Sequence, residues 1–279
     1  MRSVKLILVG LLINVMLVAP PFINNFNDFR IPGVLQRIGI VYLFSAIFYL
    51  KFNWKILLVV CVSILFLYWI LLAYIPIATN TSPSFERVQQ NWVLLVDQKI
   101  LGSHMWKEDY DPEGILSTLT AISSCLIGVF AAKILEIKKQ MLFYMGSILL
   151  VLGNFFSESF PLNKSLWTSS FVLVTSGWCF LLLYCAEYLI SNREFKFLSI
   201  FSYTGMNAIV IYVFSSIITI LFYSIHLDNQ SLHHWLFNEL LSYSSIGFKG
   251  TSLLYAIIAT SFYLGLAYYM YKRGLFIKI

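Results

Sequence analysis

The chain has 279 residues, of which 59% are hydrophobic and 17% aromatic, while only 11% are charged. Soluble domains carry about 25% charged residues, so with a mean hydropathy of +0.79 a water-soluble globular enzyme is excluded and a polytopic membrane protein is implied. The net charge of +6 comes without a basic cluster interleaved with aromatics, so it leaves no nucleic-acid footprint.

A span needs about 20 apolar residues to cross the hydrocarbon core, and eight runs approach that: 4 to 20, 37 to 52, 54 to 78, 114 to 135, 141 to 157, 167 to 190, 197 to 225 and 251 to 271. In lipid the backbone must satisfy its own hydrogen bonds, so such runs predict an all-α bundle of about eight transmembrane helices and not a barrel. No repeat, low-complexity tract or linker divides the chain, and residues 1-279 read as a single integral membrane domain. Of the 19 Lys and Arg, 12 fall on the side that holds both termini, which makes that side cytoplasmic by the positive-inside rule. Two long loops, 79 to 113 and 226 to 250, then face the other way.

The first run follows Arg2 and Lys5, as a signal peptide would, but it ends at Pro20-Pro21 without an A-x-A site. Next comes "RIPGVLQRIG", residues 30 to 39. Pro32-Gly33 breaks the chain before the second span and sets Gln36 and Arg37 in its first turns. Arg30 and Arg37 together suit a phosphate or carboxylate at a helix N-terminus; the alternative is two arginines snorkelling to the headgroups. The four cysteines, Cys61, Cys125, Cys179 and Cys185, all lie in apolar runs and read as buried thiols with no metal spacing.

In "GSHMWKEDYDPEGILSTLTA", residues 102 to 121, Asp111-Pro112-Glu113 signals a helix start. Asp111 or Glu113 is then either a base or amine-binding group, or a cap. Ser117, Thr118, Ser123 and Ser124 follow as a hydroxyl-rich face. In "PLNKSLWTSS", residues 161 to 170, Asn163, Lys164, Trp167, Thr168 and Ser169 offer more hydrogen-bonding groups than a turn requires, and read equally as site or as structure. Asn14, Asn154 and Asn207 sit within spans as candidates for hydrogen bonds between helices. Asn207, with Gly205 in "YTGMNAIVIY", also offers a close ligand approach. His226, His233 and His234 in the last outer loop lack the spacing of a metal site. Walker, G-x-S-x-G and H-E-x-x-H patterns are missing.

Five stretches in order, "RIPGVLQRIGIVY", "VDQKILGSHMW", "YDPEGILSTLTAISSCLIG", "NKSLWTSSFVL" and "GMNAIVIY", resemble the heparan-alpha-glucosaminide N-acetyltransferase family and its bacterial homologues in the transmembrane acyltransferase group. The resemblance implies transfer of an acetyl group from cytoplasmic acetyl-CoA, as co-substrate, to the amine of an amino sugar on the non-cytoplasmic side, in a bacterial inner membrane and without a metal. It makes Arg30, Arg37, Asp111, Glu113, Asn163, Lys164 and Trp167 site or site-supporting residues, with Gln36, Thr168 and Asn207 as further binding positions. The expected partners are the bilayer and the amino-sugar acceptor, with a homodimer also envisaged and no nucleic acid. In the family the proposed catalytic histidine lies in an outer loop between two spans that precede the equivalent of residue 1. The expectation here is therefore a chain lacking those spans, with the catalytic group unassigned among His104, Asp111 and Glu113. The alternatives are a carrier for amino sugars or cell-wall fragments, and an inactive or partner-dependent remnant.

Overall fold

Helix α5, Ile115–Ile137, is the one around which the first half of the chain is built. Small and hydroxyl-bearing residues on it (Ser117, Thr118, Thr120, Ala121, Ser123, Ala131) are all buried, because side chains of that size let neighbouring helices approach closely in a membrane. In the computed structural model, which describes residues 1–17, 29–78, 81–86, 91–191, 199–227, 229–244 and 246–277, five helices pack on α5: α2 (Val34–Lys51), α3 (Trp54–Tyr74), α4 (Trp92–Leu101), α6 (Gln140–Phe156) and α7 (Ser169–Ser191). With the first turns of α1 (Arg2–Met16) they form one compact unit.

Two apolar clusters hold this unit together. Leu57, Cys61, Leu126, Leu142, Val172 and Phe180 interlock α3, α5, α6 and α7. Tyr68, Leu72, Val93, Phe160 and Leu166 close the end where the long loop lies. Helices α6 and α7 pack most extensively of all, and glycines sit on their seam. A Cβ on Gly146 would lie 3.0 Å from the Gly177 carbonyl, and one on Gly153 would lie 2.7 Å from a Val174 methyl.

The second unit contains α8 (Ser199–Met206), α9 (Ala208–Ser224), α10 (Leu232–Tyr243) and α11 (Gly247–Lys272), with a two-residue hairpin, β1 (His226–Leu227) and β2 (Gln230–Ser231). Its core is Ile211, Ala267 and Met270.

Among the described residues five helices are long and apolar enough to cross a membrane: α2, α3, α5, α7 and α11. The expected span at 197 to 225 is not one straight helix. It breaks at Asn207, where α8 and α9 meet at 79°. The Asn207 amide donates to the Leu275 carbonyl (3.1 Å) and its oxygen accepts from Ile277 N–H (3.2 Å), so this side chain serves the chain's last segment while its own backbone leaves helical geometry. If the bent pair is one span there are six; α6 has 17 residues and α1 has 15. The stretches expected as long loops, 79 to 113 and 226 to 250, contain helices α4 and α10. Of the cysteines, Cys61 is buried, whereas Cys179 and Cys185 are exposed on the surface of α7, contrary to the expectation of four buried thiols.

Candidate functional site

Helices α2 and α5 both begin at the same end of the first unit, and the residues just before them carry the charge. Arg30 grips Asp111 in a two-pronged ion pair, Nε to Oδ2 at 3.1 Å and Nη2 to Oδ1 at 2.8 Å. The same Nη2 reaches Glu113 Oε2 at 2.6 Å. Paired guanidinium and carboxylate bonds of this kind are the stronger class of hydrogen bond. Asp111 is only 2% exposed, and its two oxygens also accept the backbone N–H groups of Trp106 (2.8 Å) and Glu113 (2.9 Å). All four bonds converge on the one carboxylate and fold the loop around it. Asp111 is therefore an organiser of this loop, and it does not cap α5 as the Asp-Pro-Glu pattern suggests.

The cap of α5 is supplied by Asp97, from α4. Ile115 N–H donates to Asp97 Oδ1 at 2.8 Å. The carboxylate fits only because residue 114 has no side chain: a Cβ there would stand 1.8 Å from Asp97 Oδ2. Burial pushes the Asp97 carboxyl up to about 6, with neighbouring Asp111 adding to the rise, while the Ile115 and Leu116 N–H groups and Arg37 oppose it. Sequence reasoning quoted Asp97 within a motif and assigned it no role. Its partner lies 18 residues away, and no local pattern announces a cap offered from another helix.

Arg37 lies on the first turn of α2 and is 7% exposed. Its Nη1 donates to the Pro112 carbonyl and its Nη2 to the Ser117 carbonyl, each at 2.7 Å. The guanidinium also lies over the Trp167 ring, 4.2 Å from its centroid, an arrangement in which the ring's quadrupole attracts the cation. Nε has no hydrogen-bond partner among the described residues. Such burial is incompatible with an arginine snorkelling to the headgroups. Gln36 beside it donates to the Ile31 carbonyl (3.2 Å), and its oxygen occupies the space a side chain at Gly33 or Gly10 would need.

Trp167 is held in the left-handed region, with φ 52°, which is uncommon for a bulky residue and signals local strain. Three contacts fix it: Thr120 Oγ1 donates to its carbonyl (2.7 Å), its indole N–H donates to Ser124 Oγ (3.1 Å), and its face carries Arg37. Asn163 and Thr168 build the turn before it. The Asn163 side-chain oxygen accepts from the Ser165 and Leu166 N–H groups, its amide donates to the Phe85 carbonyl, and Thr168 Oγ1 donates to the Pro161 carbonyl. Lys164 in that turn is exposed. His104 is part of the frame: its Nδ1 lies 2.8 Å from the Phe29 carbonyl, and its own carbonyl accepts Ile31 N–H, which pins the entry to α2 against the loop.

The structure thus brings Arg30, Arg37, Asp111, Glu113 and Trp167 together at one end of the unit, with Asn163, Thr168 and His104 as supports. Asn207 belongs to the second unit. His233 there stacks on Tyr223 at 4.7 Å between ring centroids, in α10 and not on a free loop. Among the described residues no three His, Cys, Asp or Glu side chains gather as metal ligands.

A cavity of about 400 Å³ opens beside Arg37, between α1, α2 and α5. Gln36, Arg37, Glu113 and Thr118 supply its polar groups, and the rest of its wall is aliphatic or aromatic. A mostly apolar wall with a few convergent polar groups is the usual form of a small-molecule site.

No protein-family model matches the chain. It is similar along its whole length to heparan-alpha-glucosaminide N-acetyltransferase of Mus musculus, at 26% identity over an alignment of 339 positions that covers 49% of that protein. With the Homo sapiens protein of the same name the identity is 25%, covering 48% of it. The chain spans about half the length of the curated relatives it matches. The chain thus combines helices able to cross a membrane with a distant similarity, along its whole length, to heparan-alpha-glucosaminide N-acetyltransferases.

Proposed function

We propose that the chain is a membrane acetyltransferase or the acceptor-binding half of one, moving acetyl from cytoplasmic acetyl-CoA to the amine of an amino sugar held at the Arg37 end of the first unit. The observation that carries this reading is the cavity: Arg37, a buried guanidinium whose Nε has no hydrogen-bond partner among the described residues, and the carboxylate-bearing Glu113 share its wall. Acetyl transfer to an amine requires a neutral nitrogen close to the thioester carbonyl, a proton acceptor for the ammonium, and a donor toward the oxygen that becomes negative. In this reading Glu113, held through Oε2 by Arg30, receives the sugar's N–H or O–H groups, and Arg37 donates to an acceptor oxygen. Arg30 and Asp111 fix the loop, while Trp167 fixes Arg37. With both termini cytoplasmic, this end of the unit faces the non-cytoplasmic side, where the acceptor arrives.

The test is acetylation of glucosamine by proteoliposomes containing the chain and supplied with radiolabelled acetyl-CoA, in wild type and in Arg37→Lys and Glu113→Gln. N-acetylglucosamine should form in the wild type and fall at least tenfold in both variants. Product formation that is indifferent to both substitutions would overturn the site assignment. Amino-sugar uptake without acetylation would replace the transferase reading by a carrier.

A further inference from the structure

The cavity beside Arg37 is polar at one end only. Helices α2 and α5 start together there, and Phe44 and Ile122 each lie seven residues past Arg37 and Ile115, which at 1.5 Å per residue is roughly 10 Å deeper along the bundle. No charged side chain lines that deeper part. Ile40, Phe44 and Leu119 line it and remain 37%, 43% and 45% exposed, so its flank opens sideways toward the hydrocarbon of the bilayer.

A free sugar has hydroxyls on every edge, and against such a wall they would lose their hydrogen bonds. A hydrocarbon chain would lose none. At the other end the requirement is reversed. Among the described residues Arg37 forms no ion pair, each Nη donates one bond to a carbonyl, and Nε has no partner. Glu113 shares that wall and is held by Arg30 through Oε2. A head group seated here must accept from an N–H and donate to a carboxylate, which an amino sugar does and a phosphate monoester dianion, with no O–H or N–H, does not.

We propose that the cavity holds an amphipathic acceptor, an amino sugar carried on a hydrocarbon chain, with the sugar at Gln36, Arg37 and Glu113 and the chain along Ile40, Phe44 and Leu119. This deepens the amino-sugar reading above and rests on it.

The test measures binding of methyl and octyl glucosaminide to the full chain in phosphatidylcholine nanodiscs, for the wild type and for Leu119→Trp and Ile40→Trp, each of which fills the groove and either of which serves if the other does not fold. The octyl compound should bind at least roughly tenfold more tightly than the methyl one, since each buried methylene adds to affinity. The substitutions should abolish that gain and leave methyl glucosaminide unchanged. Equal binding of the two sugars, or a chain-length gain that survives both substitutions, overturns the proposal while the amino-sugar reading stands. Failure of both sugars to bind overturns both, as does octyl glucoside binding as well as octyl glucosaminide.

Discussion

Replacing Asp111 by Asn tests the loop's organisation most sharply, because the substitution keeps shape and removes only charge and one acceptor. Each carboxylate oxygen accepts one bond from Arg30 and one from a backbone N–H: Oδ1 from Nη2 and Glu113, Oδ2 from Nε and Trp106. Flipping the new amide cannot help, since its NH₂ then faces two donors whichever way it points. Two bonds are lost and their donors left unsatisfied, at about 1–3 kcal/mol each. Arg30 keeps Glu113 as a partner, so its charge is not orphaned, and the total should fall near the 3–5 kcal/mol typical of breaking a buried ion pair from one side. Glu113→Gln, which touches a single bond, should cost about 1 kcal/mol. Both are read from denaturant or thermal unfolding of the purified chain in one detergent. An Asp111→Asn variant within about 0.5 kcal/mol of wild type, the range of an ordinary surface change, would mean that the carboxylate does not hold these four donors.

Three further outcomes follow from neighbouring geometry. Gly114→Ala should destabilise by about 1–3 kcal/mol, because its Cβ would drive Asp97 off the Ile115 N–H; the same change in an Asp97→Ala background should cost clearly less, and equal costs would show that the two residues do not meet. The folded-state value of Asp97 is raised to about 6 from 3.8, so the native chain binds this proton more tightly than the unfolded one. The stability it contributes is complete below about pH 4 and is lost as the pH rises through 6. Melting curves at pH 5 and 7 should therefore differ more in the wild type than in Asp97→Asn, and identical pH dependence would remove Asp97 as the titrating group. Asn207→Ala should free residues 275–277 to proteolysis with little change elsewhere, since both of its side-chain bonds end there; an unchanged digestion pattern would refute that anchoring role.

What the sequence shows and what it hides divide along the range of the interactions. Apolar runs are local, so α2, α3, α5, α7 and α11 are legible wherever about 20 such residues follow one another. The break at Asn207 is not legible, and neither is the partner of its side chain, 68 residues away. Arg30 and Asp111 stand 81 residues apart, and the sequence places each near a helix mouth without pairing them. The Asp-Pro-Glu signal does mark the start of α5 but misleads about which acid caps it. The sequence leaves Arg37 between ligand and headgroup, and only the two carbonyls and the Trp167 face decide that it is buried.

The glycine seam between α6 and α7 bears on how the protein is made. The two helices are consecutive, joined by residues 157 to 168, and meet through backbone so close that Gly177 nearly touches Gly146. The helix-to-helix contacts of such a pair are local in sequence and need no distant part of the chain, although the connection between them is later fastened to α3, α5 and Phe85. The pair can leave the insertion machinery as a packed hairpin, against which α3 and α5 afterwards settle. A bulky residue at position 146 would then act during biogenesis, lowering the yield of inserted protein while sparing the chemistry of any molecule that assembles.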